Sequence, residues 1–587
     1  MNVLGIYDGH NCNAALVSDG VVVGAVEEER FSRLKNHDGR NNGLRGPVKS
    51  IEYCLELAGG KVDAVAIALE EPRKLQKRAI TSYFDSIRAG FVERASCSKI
   101  RGSGIDGWGL VSYPFITQQE RIEKVREDLK SAGFDCKAAE FMFLPHHLCH
   151  HASVFFTTGW KKSLIVSLDG KGDNLCGLVT VGDGSSMSVR REFDYIFSLG
   201  HLYSAVTVAL GFTAIKHEGK VTALAAYGQP DADLYNTLLE LCRFDDGLLS
   251  GNLNIGLPLG PYPHTLFGEH IAKIRRLVGH CDKETVAATV QSLMETTVLQ
   301  IAEYYLKRES LSSLQVAGGV FANVRLNQKL ALSASVDRFN VHPGMSDAGL
   351  GLGAALLASS HRCSSRPIEQ HNYFLGPAYS IDEMERELIR AQIPFRRPKS
   401  MCTEVARLLS EEKAVARFDG RLEYGPRALG NRSVLCSAAD ERVVQRMNSR
   451  LGRSEFMPLA PATLDEEMAR FYEVIPGSEM ASRFMTICYQ CTDLMREECP
   501  GAVHCDGTAR PQRVTRNYEP GLHAILSSYR EITGRSSLIN TSFNVHEEPI
   551  VCTPREAIQT FLTAGLDNLQ LGPFLADRPG AVGFSKS

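Results

Sequence analysis

Two stretches of this chain repeat one plan, and that repeat limits what it can fold into. Val3-Leu-Gly-Ile-Tyr7 reads as a buried strand, Asp8-Gly9 as a loop, and Ala14 to Val26 as a hairpin turning at Asp19-Gly20. About 160 residues later, Ile165 to Leu168 is again a strand and Asp169-Gly170 a loop. Gly177-Leu-Val-Thr-Val with Asp183-Gly184 is again a hairpin. Two such units predict a duplicated α/β fold with the two Asp-Gly loops facing each other across a cleft.

Between the repeats lies Pro145-His-His-Leu-Cys-His-His151, which predicts a helix opened by Pro145 and closed by Gly159. Residues four apart share a helix face, so His146 pairs with His150 and His147 with His151. Either pair can offer two imidazole nitrogens to a divalent metal, with Asp169 at the end of the next strand adding a hard oxygen. Asp347, at the start of a later helix, is a fourth candidate ligand. The plainer reading of such a His pair is a polar helix face.

The composition excludes several classes. With 587 residues the chain is too long for one ordinary core. Hydrophobic residues make up 44%, charged residues 23%, and the formal net charge is -3. No nucleic acid or membrane surface is expected as a bulk electrostatic partner. The first residues lack a signal-peptide pattern and apolar runs such as Ala205 to Ile215 are too short to span a bilayer, so a cytoplasmic protein is expected. The 16 cysteines are then free thiols, and Cys488-x-x-Cys491 with Cys499 and Cys505 fits no common zinc ribbon.

Along the chain, Glu27-Glu-Glu-Arg-Phe-Ser-Arg33-Leu-Lys35 alone reads as a solvated charge run. Glu284 to Lys307 predicts an amphipathic core helix. Gly318-Gly319 followed by Asn323 makes a tight turn that lets a nucleotide approach the backbone, although a packing turn looks the same. Gly349-x-Gly351-x-Gly353 has its third glycine misplaced for a dinucleotide fingerprint and no acidic residue at the right distance, so that reading is rejected. The polar run Ser359 to Pro367 predicts a linker, dividing the chain into domains 1–360 and 371–587. Within the second, Arg417, Arg421, Arg427 and Arg432 crowd a Gly- and Asn-rich loop, as expected of an anion site. Asp506-Gly-Thr-Ala-Arg510-Pro-Gln512 and Asn540-Thr-Ser542-Phe-Asn544 add donors to the same pocket.

The strand, loop and hairpin repeat resembles the actin-like ATPase superfamily. More specifically, Glu29-Arg-Phe-Ser-Arg-Leu-Lys35, the His146 to Ser153 run, Asp169-Gly170, Asp347-Ala-Gly349, Gly425-Pro-Arg-Ala-Leu-Gly-Asn-Arg-Ser433 and Asn540-Thr-Ser-Phe-Asn544 resemble the O-carbamoyltransferases of antibiotic biosynthesis and nodulation. The resemblance implies an actin-like (ASKHA) carbamoyl-transfer domain followed by an α/β YrdC-like domain that turns ATP and carbamoyl phosphate into carbamoyl-adenylate. It implies His146, His150, Asp169 and Asp347 as ligands of a divalent metal, iron (Fe2+) by expectation, and Mg2+ with ATP. Arg427, Arg453, Arg510, Asn540 and Ser542, with Gly318, Gly319 and Asn323, are the implied carbamoyl phosphate and adenylate residues. Asp8 and His10 are the implied dyad that deprotonates a hydroxylated small-molecule acceptor, with Lys35 as a nearby cation; a homodimer is the expected assembly.

The chain departs from the family pattern at Gly452, where a Lys is usual and for which Arg450 or Arg453 can substitute, and at Glu547-Glu548, where Gly-Glu is usual. His151 stands at a position commonly small and is expected to add a hydrogen-bond donor near the metal. Hydrogenase-maturation carbamoyltransferases share the two modules but carry an acylphosphatase-like domain and paired Cys-x-x-Cys zinc motifs not seen in this sequence. A nucleotide-binding protein of actin-like fold without catalysis is the other alternative. Acceptor selectivity is expected from Arg73 to Gly109 and Phe244 to Gly268.

Overall fold

The computed structural model describes residues 1–40, 44–70, 122–135, 139–251, 268–363, 366–453 and 459–579. The Arg73 to Gly109 segment and most of Phe244 to Gly268 therefore lie outside the described residues. Two compact units emerge, and neither is one continuous stretch. The first comprises Met1–Val23 and Asp38–Gln370; the second comprises Gly24–His37 and His371–Ser587.

β1 (Asn2–Tyr7), β2 (Asn13–Ser18), β3 (Val21–Glu27, of which Val21–Val23 belong to the first unit), β4 (Ala64–Ala68) and β5 (Glu140–Leu144) form one sheet in the order β3-β2-β1-β4-β5. β6 (Lys162–Gly172), β7 (Leu175–Asp183) and β8 (Ser186–Asp194) belong to a second sheet. A hairpin of β9 (Arg243–Asp245) and β10 (Leu248–Ser250) intervenes before β11 (Ser313–Ala317) and β12 (Arg338–Val341) complete that sheet, in the order β12-β11-β6-β7-β8. Read from β8, this is the same topology as the first sheet. β1 pairs antiparallel with β2 and parallel with β4, and β6 pairs antiparallel with β7 and parallel with β11. The first unit thus has the duplicated actin-like fold.

The turns explain why the sequence builds these hairpins. Asp19 (φ 49°) and Gly20 (φ 81°) both take the left-handed conformation, the type I′ pattern whose twist matches antiparallel strands. Alternating buried residues of β1, β2 and β4 then pack on the helix Val48–Leu57 through Leu4, Ile6, Leu16, Ile51, Cys54 and Ile67. The expected amphipathic helix runs Lys283–Glu309, capped by the Asp282 side chain on the Thr285 N–H.

The glycine run at 349–353 is a packing device. It opens the helix Leu350–Cys363, and a Cβ on Gly351 would meet the Asn13 side chain, while one on Gly353 would sit 1.9 Å from the Cys149 carbonyl oxygen. This helix therefore lies backbone to backbone on the His146–Phe155 helix. It also continues through the start of the expected linker, because Ser359 and Ser360 are buried and Ser360 Oγ donates to the Leu357 carbonyl.

The second unit is a separate α/β unit around an eight-stranded sheet, β13-β23-β22-β14-β15-β21-β16-β20. Its strands are β13 (Phe395–Arg396), β14 (Val415–Phe418), β15 (Arg432–Ser437), β16 (Ala460–Leu464), β20 (Gln512–Val514), β21 (Ser537–Ser542), β22 (Asn568–Leu571) and β23 (Phe574–Asp577). A small sheet of β17 (Tyr472–Glu473), β18 (Tyr489–Cys491) and β19 (Thr508–Ala509) is inserted between β16 and β20. Helices Met401–Ser410 and Pro520–Thr533 cover the main sheet through Val405, Leu409, Leu522, Leu526 and Tyr529. Among the described residues, no helix is long and apolar enough to cross a membrane.

Replacing Gly353 with Ala should push the two helices apart. The expected cost is about 1–3 kcal/mol, the usual range for overpacking a dense interior, read as a lowered thermal unfolding midpoint of the first unit.

Candidate metal centre and anion site

Four of the candidate residues leave the carboxyl ends of topologically equivalent strands. Asp8 follows β1 and Asp169 lies in the matching β6; His146 follows β5 and Asp347 follows the matching β12. In open α/β sheets this is the edge where ligands bind. The helix His146–Phe155 starts there because Pro145 fixes the entry and the Asp173 carboxylate accepts the His146 N–H at 2.8 Å.

His146, His150, Asp169 and Asp347 each turn one ligand atom inward, all within 4.8 Å of one another. His150 Nε2 is 3.1 Å from His146 Nε2, 3.2 Å from Asp169 Oδ2 and 3.6 Å from Asp347 Oδ1. His146 Nε2 is 3.5 Å from Asp347 Oδ1 and 3.9 Å from Asp169 Oδ2. These spacings suit ligands gathered about a cation at roughly 2.0–2.2 Å. Asp169 Oδ2 is buried and faces the imidazole nitrogens of His150 and His146, a lone pair that a cation held by the same histidines satisfies. The cluster could bind a metal.

The second histidine pair is committed elsewhere. His147 Nδ1 and His151 Nε2 both lie 2.9 Å from Ser167 Oγ, and His151 Nδ1 is 2.7 Å from Thr180 Oγ1. Burial holds the His147 imidazole well below its usual range and His151 down to about 3, so both stay neutral. They fasten the helix to β6 and β7, and His151 bonds to no ligand of the cluster in the bonds described. For His150, burial disfavours the charged form, but the hydrogen bonds and charges of Asp169 and Asp347 prevail and raise it to about 9. Burial opposes ionisation of Asp169 too, and His146 and His150 hold its carboxyl well below the usual range.

Neighbouring groups orient the ligands. Tyr7 donates its hydroxyl to Asp347 Oδ2 at 2.7 Å, and Asn13 donates to the Asp347 carbonyl at 2.9 Å. Gly170 donates its N–H to Asp169 Oδ1 at 2.8 Å. Gly172 must lack a side chain, because a Cβ there would overlap the His146 ring. Gly318, at φ 100°, brings its backbone against the Leu168 carbonyl, and Gly319 lies beside the Asp169 carboxylate. Asn323 caps the helix Val324–Ala331 and donates to Gln291 at 2.8 Å, so its side chain is occupied within the protein.

Asp8 is buried, and His10 follows it in the loop after β1, where it bridges to Asp38. The cation beside Asp8 is Arg40, with Nη2 at 3.6 Å from Asp8 Oδ1 and the guanidinium 5.1 Å from the Tyr7 ring centre. Sequence reasoning missed Arg40; its signal was a third Asp-Gly pair, Asp38-Gly39, directly before it. Lys35 belongs to the second unit. It is exposed, and partial desolvation by its neighbours lowers its affinity for a proton against the pull of Glu29 and Glu547, with Arg453 lowering it further.

In the second unit the four arginines of the 417–432 loop divide sharply. Arg417 binds the Gly430 carbonyl and Asp419, and Arg421 donates to the Gly376 carbonyl at 3.0 Å. Arg432 is fully buried, donates to the Asp419 and Gly420 carbonyls at 2.7 and 3.1 Å, and lies over the Phe418 ring. Three of the four therefore organise the loop, which corrects the expectation that the whole group serves an anion. Arg427 remains, and with it Arg453 and Arg510.

None of these three has a carboxylate partner among the described residues. Burial and the Arg510 charge press Arg427 well below its usual range and Arg453 to about 10; burial lowers Arg510 as well. Guanidinium stays protonated in proteins, so this pressure is an appetite for an anion. Arg453 reaches Thr541, Ser542 Oγ at 2.9 Å and Asn544 Oδ1 at 3.2 Å. It gets there because Gly452, at φ 67°, ends the helix Arg442–Arg450 in the left-handed turn that glycine favours. Arg450 instead pairs with Asp567 at 2.9 Å. Asn540 donates to Gln512 at 2.7 Å and to the Ala428 carbonyl at 3.2 Å, while its own Oδ1 is buried without a partner. At 547, Glu adopts φ 68°, a conformation that favours the glycine usual there.

Cys488, Cys491 and Cys499 are buried and Cys505 is exposed. Among the described residues they form no metal-holding group.

Residues 2–356 match the carbamoyltransferase N-terminus family and residues 406–578 the carbamoyltransferase C-terminus family. The chain belongs to the carbamoyltransferase family. It is 32% identical to nodulation protein NolNO of Sinorhizobium fredii over 96% of this chain and 78% of that protein. It is 24% identical to nodulation protein U of Rhizobium tropici over 93% of this chain and 91% of that protein. Among solved structures, HypF of T. kodakarensis aligns at 11% identity and a TM-score of 0.31, over 61% of this chain and 48% of that one.

Two outcomes are expected of the metal centre. Protons and metal compete for the same lone pairs, and metal-free His150 holds its proton up to about pH 9. Metal affinity, measured by chelator competition, should therefore rise as pH rises from 6 towards 9 and then level off. Tyr7→Phe should weaken metal affinity by about 10- to 100-fold, the usual effect of removing a group that orients a ligand.

Proposed function

We propose that this carbamoyltransferase is ATP-dependent, forms carbamoyl-adenylate in its second, YrdC-like unit, and transfers the carbamoyl group to a hydroxyl in its first unit. The observation that carries the reading is a pair of unmet demands in one place. Arg427, Arg453 and Arg510 lack a counter-anion among the described residues, and Asn540 Oδ1 lacks an N–H donor. Carbamoyl phosphate supplies a dianion at one end and an amide N–H at the other.

Water enters and inorganic phosphate leaves carbamoyl phosphate; an oxygen of the resulting carbamate bonds to the α-phosphorus of ATP, and pyrophosphate departs. Arg427 and Arg510 stabilise charge on the phosphoryl oxygens, Arg453 stands in for the family's lysine, and Ser542 and Asn540 orient the carbamoyl end. Mg2+ accompanies ATP.

In the first unit, His146, His150, Asp169 and Asp347 hold a divalent metal, Fe2+ by resemblance. When bound, the ion supplies Lewis acidity towards the adenylate phosphate and the carbamoyl carbonyl. His10 takes the proton of the acceptor hydroxyl as its oxygen bonds to the carbamoyl carbon, with AMP as leaving group. Asp8 orients His10, and Arg40 places positive charge beside them. On this reading the nucleotide approaches the backbone of the Gly318-Gly319 turn, which lies next to Asp169. The acceptor is a hydroxylated natural product of antibiotic or other secondary metabolism, a reading supported by the resemblance and by the nodulation proteins among the relatives.

Metal-replete protein should catalyse ATP–pyrophosphate exchange only when carbamoyl phosphate is present. His10→Ala should keep that exchange and lose transfer to an acceptor by about 10²- to 10⁴-fold. Absence of exchange in folded wild-type protein would overturn the adenylation step, and full transfer by His10→Ala would remove the base.

A further inference from the structure

The first part of the charge run near the N-terminus, expected to be solvated, is buried in the second unit, while Leu34 and Lys35 are exposed. Glu27 and Arg30 are each 2% exposed, and both belong with residues 371–587 in one compact unit. Their polar atoms converge on a single residue of the anion loop. Glu27 Oε1 accepts the Gly425 N–H at 2.9 Å, and Arg30 Nη2 donates to the Gly425 carbonyl at 2.9 Å. Arg30 is itself held by Glu29 at 2.7 Å and lies 3.5 Å from Glu27 Oε2.

Gly425 stands two residues before Arg427, at φ 98°, with Pro426 between them. The other side of the loop is fixed from within, where Glu423 Oε1 accepts the N–H groups of Leu429, Asn431 and Arg432 at 2.9, 2.7 and 2.8 Å. Arg427 thus sits on a short arch gripped at both feet. The same N-terminal segment holds a second loop of the site. Arg33 donates to the Pro549 and Ile550 carbonyls, each at 2.7 Å, in the stretch that follows Asn544, a partner of Arg453.

From this geometry we infer that Glu27 and Arg30 are positioning residues of the anion site, which set the backbone that aims Arg427 at its ligand. The inference rests on the adenylation reading above for what that ligand is. A left-handed glycine has wide conformational freedom, and bonds to both its N–H and its carbonyl remove that freedom before the anion arrives. Such pre-positioning matters most for a multiply charged ligand, since misplacing a binding group by about 1 Å can cost about 10²-fold.

The test uses the full, metal-replete chain carrying Glu27→Gln with Arg30→Met. The double change removes both charges together, and Glu29, which loses its Arg30 partner, keeps the Asn36 N–H at 2.6 Å. The KM for carbamoyl phosphate in ATP–pyrophosphate exchange should rise about 10- to 100-fold while the thermal midpoint of the second unit stays near wild type. Arg30→Lys keeps the charge but loses the fork, and should fall in between. An unchanged KM in folded double variant would overturn the inference, as would a loss confined to kcat that tracks a lowered midpoint. If wild-type protein shows no exchange, the adenylation reading fails instead. Calorimetric titration with pyrophosphate then decides the clamp: weaker binding by the variants supports it and equal binding refutes it.

Discussion

Two imidazole nitrogens and two carboxylate oxygens face one another within 4.8 Å in the first unit, and much of that unit's architecture serves to keep them there. Polar atoms crowded with their lone pairs inward repel one another unless a proton or cation sits between them. The fold meets that demand by drawing the ligands from three strand ends: His146 and His150 from the helix after β5, Asp169 from β6 and Asp347 from the turn after β12. It then removes side chains wherever backbone must come close, at Gly172 against the His146 ring and at Gly353 against the Cys149 carbonyl. The second histidine pair turns the other way and rivets the helix to Ser167 and Thr180.

The second unit solves the converse problem of gathering positive charge. Arginines are tolerated in a packed loop when most of their donors find acceptors. Arg417, Arg421 and Arg432 donate to backbone carbonyls, and Arg417 also to Asp419, which gives the loop its shape. Arg427, Arg453 and Arg510 are left with their charge uncompensated by any described carboxylate. The adjoining strands β15, β21, β16 and β20 present Asn540, Ser542 and Gln512 beside them, so the donors stand on rigid sheet rather than on loop alone.

Much of this was legible in the sequence. The duplicated hairpins could be read because Asp-Gly turns announce themselves, and the His146–His150 pair because helical spacing puts them on one face. The choice between the two histidine faces came from the family resemblance and not from spacing, since physically it depends on Ser167 and Thr180, far away in the chain. The division of labour among the arginines was not legible, because carbonyl partners leave no mark on sequence. The Glu27–Arg30 run was misread as solvated surface for the same reason: charge predicts exposure unless the partners are known, and these partners lie some 400 residues on. The glycines at 351 and 353 were correctly refused as a nucleotide fingerprint, but the helix and strand they accommodate could not be named.

The assignment of residues 24–37 to the second unit also has a meaning for biosynthesis. Glu27 and its partner Gly425 are 398 residues apart. At about 5–20 residues per second, a ribosome takes roughly 20–80 s to make the chain between them. For that interval a segment bearing Glu27, Arg30 and Arg33 waits without the loops that will bury it. Its many charges keep the waiting strand soluble, where an apolar segment of equal length would invite aggregation. Residues 371–587 are completed by a segment made long before them, so ordering of the arginine loop is deferred until those residues have emerged.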